Sequence, residues 1–226
     1  MTLGVIDILS LSQGGFTAIL PEGYTSVTFP LDLPTPAPAR VTFFANVAAA
    51  VTRSPFTFNQ QVQLHQGDYW QASVTLPGLE QSDAENWIAF LLLLNGPVGT
   101  FAMGDPLGTT PRGSIDGTPI VHGSSQTGYT LTTRGWNPSS FAVLRVGDYV
   151  QVGQRLHKVL RDVDSDSDGI AVLDIWPRLR ESPSDGTYLV TSNTKGLFRL
   201  SVPNFPVWDV GPNRIYNITF TAVEAI

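Results

Sequence analysis

The 226 residues include no cysteine, which removes disulfides, thiolate metal sites and cysteine nucleophiles from consideration and leaves the redox compartment open. Charge is also sparse. Asp, Glu, Lys and Arg make up 14% of the chain, and 13 basic residues face 19 acidic ones for a net charge of -6. A dedicated nucleic-acid binder needs a basic face to displace counterions from phosphates, and this balance argues against one. Long apolar runs are missing: the greasiest stretch, WIAFLLLL (Trp87 to Leu94), falls far short of the about 20 residues a membrane-spanning helix needs. The N-terminal MTLGVIDILSLSQGG lacks the basic region that opens a signal peptide. The expectation is a soluble chain made in the cytoplasm, without membrane insertion.

What the chain has in plenty is 21 Gly and 17 Pro among aromatic and β-branched residues, the profile of many short strands joined by turns. SVTFPLDLP and RVTFFANV are β-rich, and the proline-dense PLDLPTPAPAR between them reads as an extended connector. In SPFTFNQQVQLHQGDYWQASVTLP, Phe56, Phe58, Gln60, Val62 and Leu64 alternate onto one face. A turn at HQGD is expected to lead into a second strand carrying Trp70, Ala72, Val74 and Leu76, making one long hairpin. One helix is expected: Ser82 and Glu85 match a capping box, and Asp83 suits the first turn. Trp87, Phe90, Leu91 and Leu94 recur at helical spacing, Leu92 and Leu93 widen the stripe so that burial on more than one side is expected, and Asn95-Gly96 supplies the stop.

From about Asp105 the texture changes. GDPLGTTPRGSIDGTP has linker composition, VHGSSQTGYTLTTRGW is weakly apolar, and VLRVGDYVQVGQRLHKVLRDV gives short strands around a tight turn at VGQ. Residues 106–195 hold nine Lys/Arg and nine Asp/Glu, net zero, which leaves four against ten for the remainder. The final RIYNITFTAVEAI alternates with Tyr216, Ile218, Phe220 and Ala222 on one face, and it needs a sheet to join. The reading is a mainly β protein: a discontinuous first domain, 1–105 and 196–226, a β-sandwich with one helix and the long hairpin, interrupted at 106–195 by a small β-barrel domain.

Candidate chemistry is thin. Asp164, Asp166, Asp168 and Gly169 match the opening of a calcium loop, yet the closing glutamate position is Ile175 and strands flank it instead of helices. A hairpin tip, with Asp and Ser bonding local backbone, is expected instead. The histidines, His65, His122 and His157, sit in no metal or nucleophile-elbow motif. Ser124 or Ser125 beside His122 is adjacency without triad geometry. Two converging acids could serve glycoside hydrolysis, but the acids cluster in turns and at the helix start. Trp136 and Trp176 could form a sugar-stacking platform, or anchor a core. No enzyme activity, catalytic residue, metal or cofactor is expected.

A long segment, TRSPFTFNQQVQLHQGDYWQASVTLPGLEQSDAENWIAFLLLLNGPVGTFAMGDP, resembles the N-terminal part of the distal tail (minor tail, tail-tip hub) proteins of long, non-contractile-tailed bacteriophages. SPFT, YWQASVTLP and ENWIAFLLLL followed by GTFAMGDP carry the likeness, which continues through GDYVQVGQRLHKV, IWPRLR, GLFRL and ITFTAVEAI. The resemblance implies a structural virion protein at the tail tip. It implies a homohexameric ring joining the tail tube protein to hub and fibre proteins, with genomic DNA only passing through the lumen. It further implies a belt β-sandwich and a second β domain, here suited to an oligonucleotide/oligosaccharide-binding-like barrel. The hairpin residues Phe56, Phe58, Gln60, Val62, Leu64 and Trp70 become candidates for the ring interface, since a sheet edge can pair with a neighbour. An acidic belt would let DNA slip through; a basic lumen in the assembled ring would contradict that. The alternative is a carbohydrate-binding module for host-surface attachment through Trp136 or Trp176.

Overall fold

The computed structural model describes residues 17–18, 27–202 and 206–225. The stretch MTLGVIDILSLSQGG lies outside them. The short strands β1 (Thr17–Ala18) and β2 (Val27–Thr28) pair with each other, and β3 (Leu31–Asp32) precedes the proline connector. Next come β4 (Arg40–Asn46), β5 (Ala49–Arg53), β6 (Gln60–Leu64) and the long β7 (Tyr69–Leu79), then helix α1 (Gln81–Leu93) and β8 (Phe101–Met103). β9 (Gly117–Val121), β10 (Gly128–Trp136), β11 (Tyr149–Val152), β12 (Arg155–Val159), β13 (Ile170–Leu179) and β14 (Leu189–Val190) follow. After them are β15 (Gly196–Leu200), β16 (Val207–Val210) and β17 (Tyr216–Glu224). The protein is mainly β with one helix among the described residues.

The chain divides into two compact units. The first comprises 1–40, 73–103 and 197–226, and the second 41–72 and 104–196. Residues 41–72, assigned by sequence to the first domain, therefore group with the inserted segment. The reason is packing: Trp70 is buried against Phe43, Tyr149 and Trp176, with ring centroids 5.8, 6.3 and 4.4 Å away.

In the first unit the hydrogen-bonding order runs β3-β8-β15-β17-β7, with β16 also on β17. The alternating β17 thus joins the sheet as its pattern requires, and Ile218, Phe220 and Ala222 are buried. Helix α1 covers this face. Trp87 meets Phe90 and Phe220, and Phe90 meets Phe101, at centroid distances between 5.6 and 6.1 Å.

Helix α1 departs from expectation at its edges. It starts at Gln81 with Glu80 as N-cap and no side-chain capping bond. Strand β7 ends at Leu79, leaving one residue before the helix, so Ser82 falls inside the first turn and the Ser82–Glu85 box does not form. Asp83 does lie in that turn. Trp87, Phe90, Leu91 and Leu94 are buried, but Leu92 and Leu93 are exposed, so the helix is buried along one stripe only. Asn95 and Gly96 take φ of 47° and 68° and end it.

The second unit holds a six-stranded sheet in the order β14-β11-β12-β13-β10-β9. The Val121 N–H donates to the Thr187 carbonyl at 2.8 Å, and Ile120 bridges Tyr188. These contacts bring the first and last strands together into a nearly closed barrel. Its interior is filled by Val121, Leu131, Leu144, Val150, Leu173 and Ile175 among others, all fully buried. The tight turn expected at VGQ joins β11 to β12, with Gly153 at φ 59°.

Candidate interaction surface

The expected hairpin exists with a different partner. β6 pairs with β5, Ala49 opposite Leu64, Val51 opposite Val62 and Arg53 opposite Gln60, while β7 pairs elsewhere. The turn is SPFTFN, not HQGD. Ser54 Oγ accepts the Phe56 and Thr57 N–H groups at 3.4 and 3.3 Å, and the Phe58 N–H donates to the Ser54 carbonyl at 3.0 Å. Phe58 takes φ 58°, a conformation this side-chain-to-backbone turn holds in place.

β5 and β6 form a two-stranded sheet of their own, and every residue in them is exposed. The register places Ala49, Val51, Val62 and Leu64 on one face. Arg53 and Gln60 end that face near the tip, and Ala50, Thr52, Gln61 and Gln63 lie on the other, so the first face is apolar from its foot to Val51 and Val62. At its tip Phe56 is 91% exposed and Phe58 65%, and the Arg53 guanidinium lies 4.7 Å from the Phe58 ring centroid. A lone two-stranded ribbon is marginally stable in water, and an exposed, contiguous apolar face marks a contact surface.

The chain after the ribbon is anchored within the second unit. Asp68 is buried and accepts the Tyr129 hydroxyl proton at 2.6 Å. That hydrogen bond, with burial and the carboxylate's charge adding, pushes the Tyr129 phenol pKa up. Arg178 lies over the same ring, 5.5 Å from its centroid. Trp70 donates from Nε1 to the Leu156 carbonyl at 2.9 Å. Of the interface residues expected from sequence, Phe56, Phe58, Gln60, Val62 and Leu64 share the ribbon and its tip, and Trp70 does not: it is a buried anchor. Alternation shows which residues share a face but not which strand lies alongside. The usable signal was the Ser-Pro…Asn cluster in SPFTFN, a turn composition flanked by two alternating runs.

The other candidates are drawn into the fold. Trp136 is buried with its Nε1 donating to Thr133 Oγ1 at 2.8 Å, and Trp176 is half-buried edge-on to Trp70. His65 is exposed, and its N–H donates to the Ala48 carbonyl at 2.7 Å at the foot of the ribbon. Ser124 and Ser125 are exposed turn residues beside His122. That turn is held by Asp185, which accepts the Gly123 N–H at 2.7 Å and pairs with Arg134 at 3.2 Å. The backbone hydrogen bond, ahead of Arg134, holds the Asp185 carboxyl below its usual range.

The aspartate run stitches two loops together. Asp162 and Asp164 accept the Val146 and Ala142 N–H groups, both at 2.7 Å, and Val163 bridges Leu144. Asp166 accepts from Asp168 and Ile170 at 2.9 and 2.8 Å, closing a turn upon itself. Strands β12 and β13 do pair, Val159 opposite Ile175, so the run links two antiparallel strands. Two of its four acids, Asp162 and Asp164, bond the 140–146 loop instead of their own turn, which the local sequence pattern could not reveal. Among the described residues no group of three or more His, Cys, Asp or Glu is arranged to hold a metal ion. Gly169 has φ +71°, and a Cβ there would lie 2.3 Å from the Trp136 carbonyl oxygen. Gly169→Ala is expected to cost about 2 kcal/mol from backbone strain and this clash, read as a lowered urea midpoint; an unchanged midpoint would contradict it.

No helix among the described residues is long and apolar enough to cross a membrane. No protein-family model matches this chain, and no curated protein matches it.

Proposed function

We propose that this chain is a structural subunit of a phage tail tip, a distal-tail-type protein. It forms a homohexameric ring that joins the tail tube to the hub and fibre proteins. The observation that carries the reading is the free ribbon of β5 and β6, exposed on both faces and tipped by Phe56 and Phe58. Exposed apolar residues on a ribbon too small to stabilise itself are accounted for when a neighbouring subunit covers them. The resemblance carried by SPFT, YWQASVTLP and ENWIAFLLLL supports the same role. The glycan-binding reading is weakened, because Trp136 is buried and Trp176 packs on Trp70.

Light scattering on the purified chain tests the ring. The expected mass is six times that of the 24.5 kDa subunit, either alone or after addition of the tube protein. Phe56→Asp with Phe58→Asp is expected to release monomers whose thermal midpoint matches the parent subunit, because both side chains are exposed before assembly. A ring that survives both changes removes the ribbon from the interface. Antibody labelling of a virion anywhere but the tail tip would overturn the reading.

A further inference from the structure

The first unit has a groove of about 320 Å3 lined by Pro36, Ala37, Leu76, Pro77, Glu80 and Asp83. Pockets that admit small organic groups span about 300–1,000 Å3, so this one has room for one or two aromatic side chains and not for a folded element. Its lining is mixed, with apolar side chains of Pro36, Ala37, Leu76 and Pro77 beside nearly as much polar surface. Pro36 and Ala37 come from the exposed proline connector, and Leu76 and Pro77 from the end of β7. Its acids are Glu80, which is exposed and makes no capping bond to the helix, and Asp83 in the first helical turn.

The ribbon tip has the opposite character. Between Val41 and Gly67 there is no Asp or Glu, and Arg53 is the one charged residue. That leaves 12 of the 13 basic residues against all 19 acids in the rest of the chain. Arg53 lies over the Phe58 ring at the tip, so the ribbon ends in two exposed aromatic residues with a cation on one of them. Phe56, at 91% exposure, is left uncovered by the described residues of its own chain. The first unit, by contrast, holds Arg40, Arg199 and Arg214 against eight Asp and Glu.

We propose that the ribbon tip of one copy seats in this groove on a second copy. Phe56 enters between Pro36 and Pro77, and Arg53 faces Glu80 and Asp83. The inference rests on the ring reading above and names the surface that receives the ribbon. The prolines at its two sides fit the ring of Phe56, and the acids Glu80 and Asp83 select a partner segment that carries a cation and no acid. Because knob and groove are different surfaces of one molecule, the contact is heterologous. Repeated around a rotation axis it generates a closed ring.

The absence of native cysteine makes the contact testable by cross-linking. Thr57→Cys and Ala37→Cys are both exposed positions. In the full-length double variant, mild oxidation is expected to give a ladder of covalent multimers on non-reducing gels. A Thr57→Cys/Ser184→Cys control, also exposed, is expected to give none. Arg53→Glu is expected to weaken association about tenfold or more through like-charge contact, and adding Glu80→Arg to restore it. A ladder of equal strength in the control overturns the contact. So does an oligomer of ring mass without a ladder, or association indifferent to Arg53→Glu, and either of these leaves the ring itself standing. A chain that stays monomeric and yields no ladder overturns the contact too, and the ring is then decided separately by the chain's place in the virion.

Discussion

Trp70→Ala is expected to lower the stability of the isolated protein by about 3–5 kcal/mol, the range for removing a large buried aromatic from a packed site. The side chain is 4% exposed and meets Phe43, Tyr149 and Trp176. Its loss also removes the indole N–H that donates to the Leu156 carbonyl at 2.9 Å. Trp70→Phe separates these effects: it keeps an aromatic ring, removes the donor, and is expected to cost about 1–2 kcal/mol. Urea unfolding followed by circular dichroism reads both. A loss under about 1 kcal/mol for Trp70→Ala would show that the residues around it collapse to fill the space. The same variant bears on assembly, because Trp70 follows the ribbon in the chain and anchors that segment within the second unit. Association is expected to fall along with stability, whereas the Phe56 and Phe58 substitutions change association alone.

Acid is expected to destabilise the second unit through His157. The imidazole is 3% exposed, and its Nδ1 lies 2.7 Å from the Pro177 carbonyl oxygen. A carbonyl can only accept, so the neutral ring carries its proton on Nδ1, and Nε2 is left as a buried acceptor without a partner among the described residues. Burial first, with Arg155 and Arg180 adding repulsion, pushes the pKa down from 6.5 to about 4, while the Pro177 carbonyl opposes the shift. The folded value lies below the unfolded one, so between them the unfolded chain binds more protons. Stability is therefore full above about pH 6.5 and falls as pH drops towards 4. At about 1.4 kcal/mol per pKa unit the whole window is worth roughly 3 kcal/mol, about 2 of it between pH 7 and 5, before most carboxylates titrate. His157→Asn, which can still donate to the Pro177 carbonyl, is expected to be less stable at pH 7 and to show a flatter slope between pH 7 and 5. An identical slope in the variant would remove His157 as the source.

The candidate surface was partly legible in the chain. The alternation of Phe56, Phe58, Gln60, Val62 and Leu64 marked an element with a coherent face, and those residues do share the ribbon and its tip. The neighbouring strand was not legible, because AAVTR is short and weakly patterned, and period-two alternation carries no information about what lies beside a strand. Trp70 was misplaced for the same reason. Its regular spacing with Ala72, Val74 and Leu76 is real, but that face is buried in β7, and β7 has other neighbours than β6. The groove had no sequence signature, since its walls come from a proline connector and a strand end some 40 positions apart.

Composition and periodicity by themselves determined the mainly β character, the place of the helix, its buried stripe and its Asn95-Gly96 stop, and the face that β17 turns inward. These are local properties: a turn residue, a capping position or an alternating run acts through its own few neighbours. The tertiary structure decided that β6 pairs with β5, that residues 41–72 pack with the inserted segment, and that Asp162 and Asp164 accept from another loop's backbone. It also decided that Ser82 falls inside the helix and that Leu92 and Leu93 face outward. Each of those outcomes depends on which distant segment arrives alongside. That choice is made by the burial of aromatic residues such as Trp70 and Trp87, which reach partners far away in the chain.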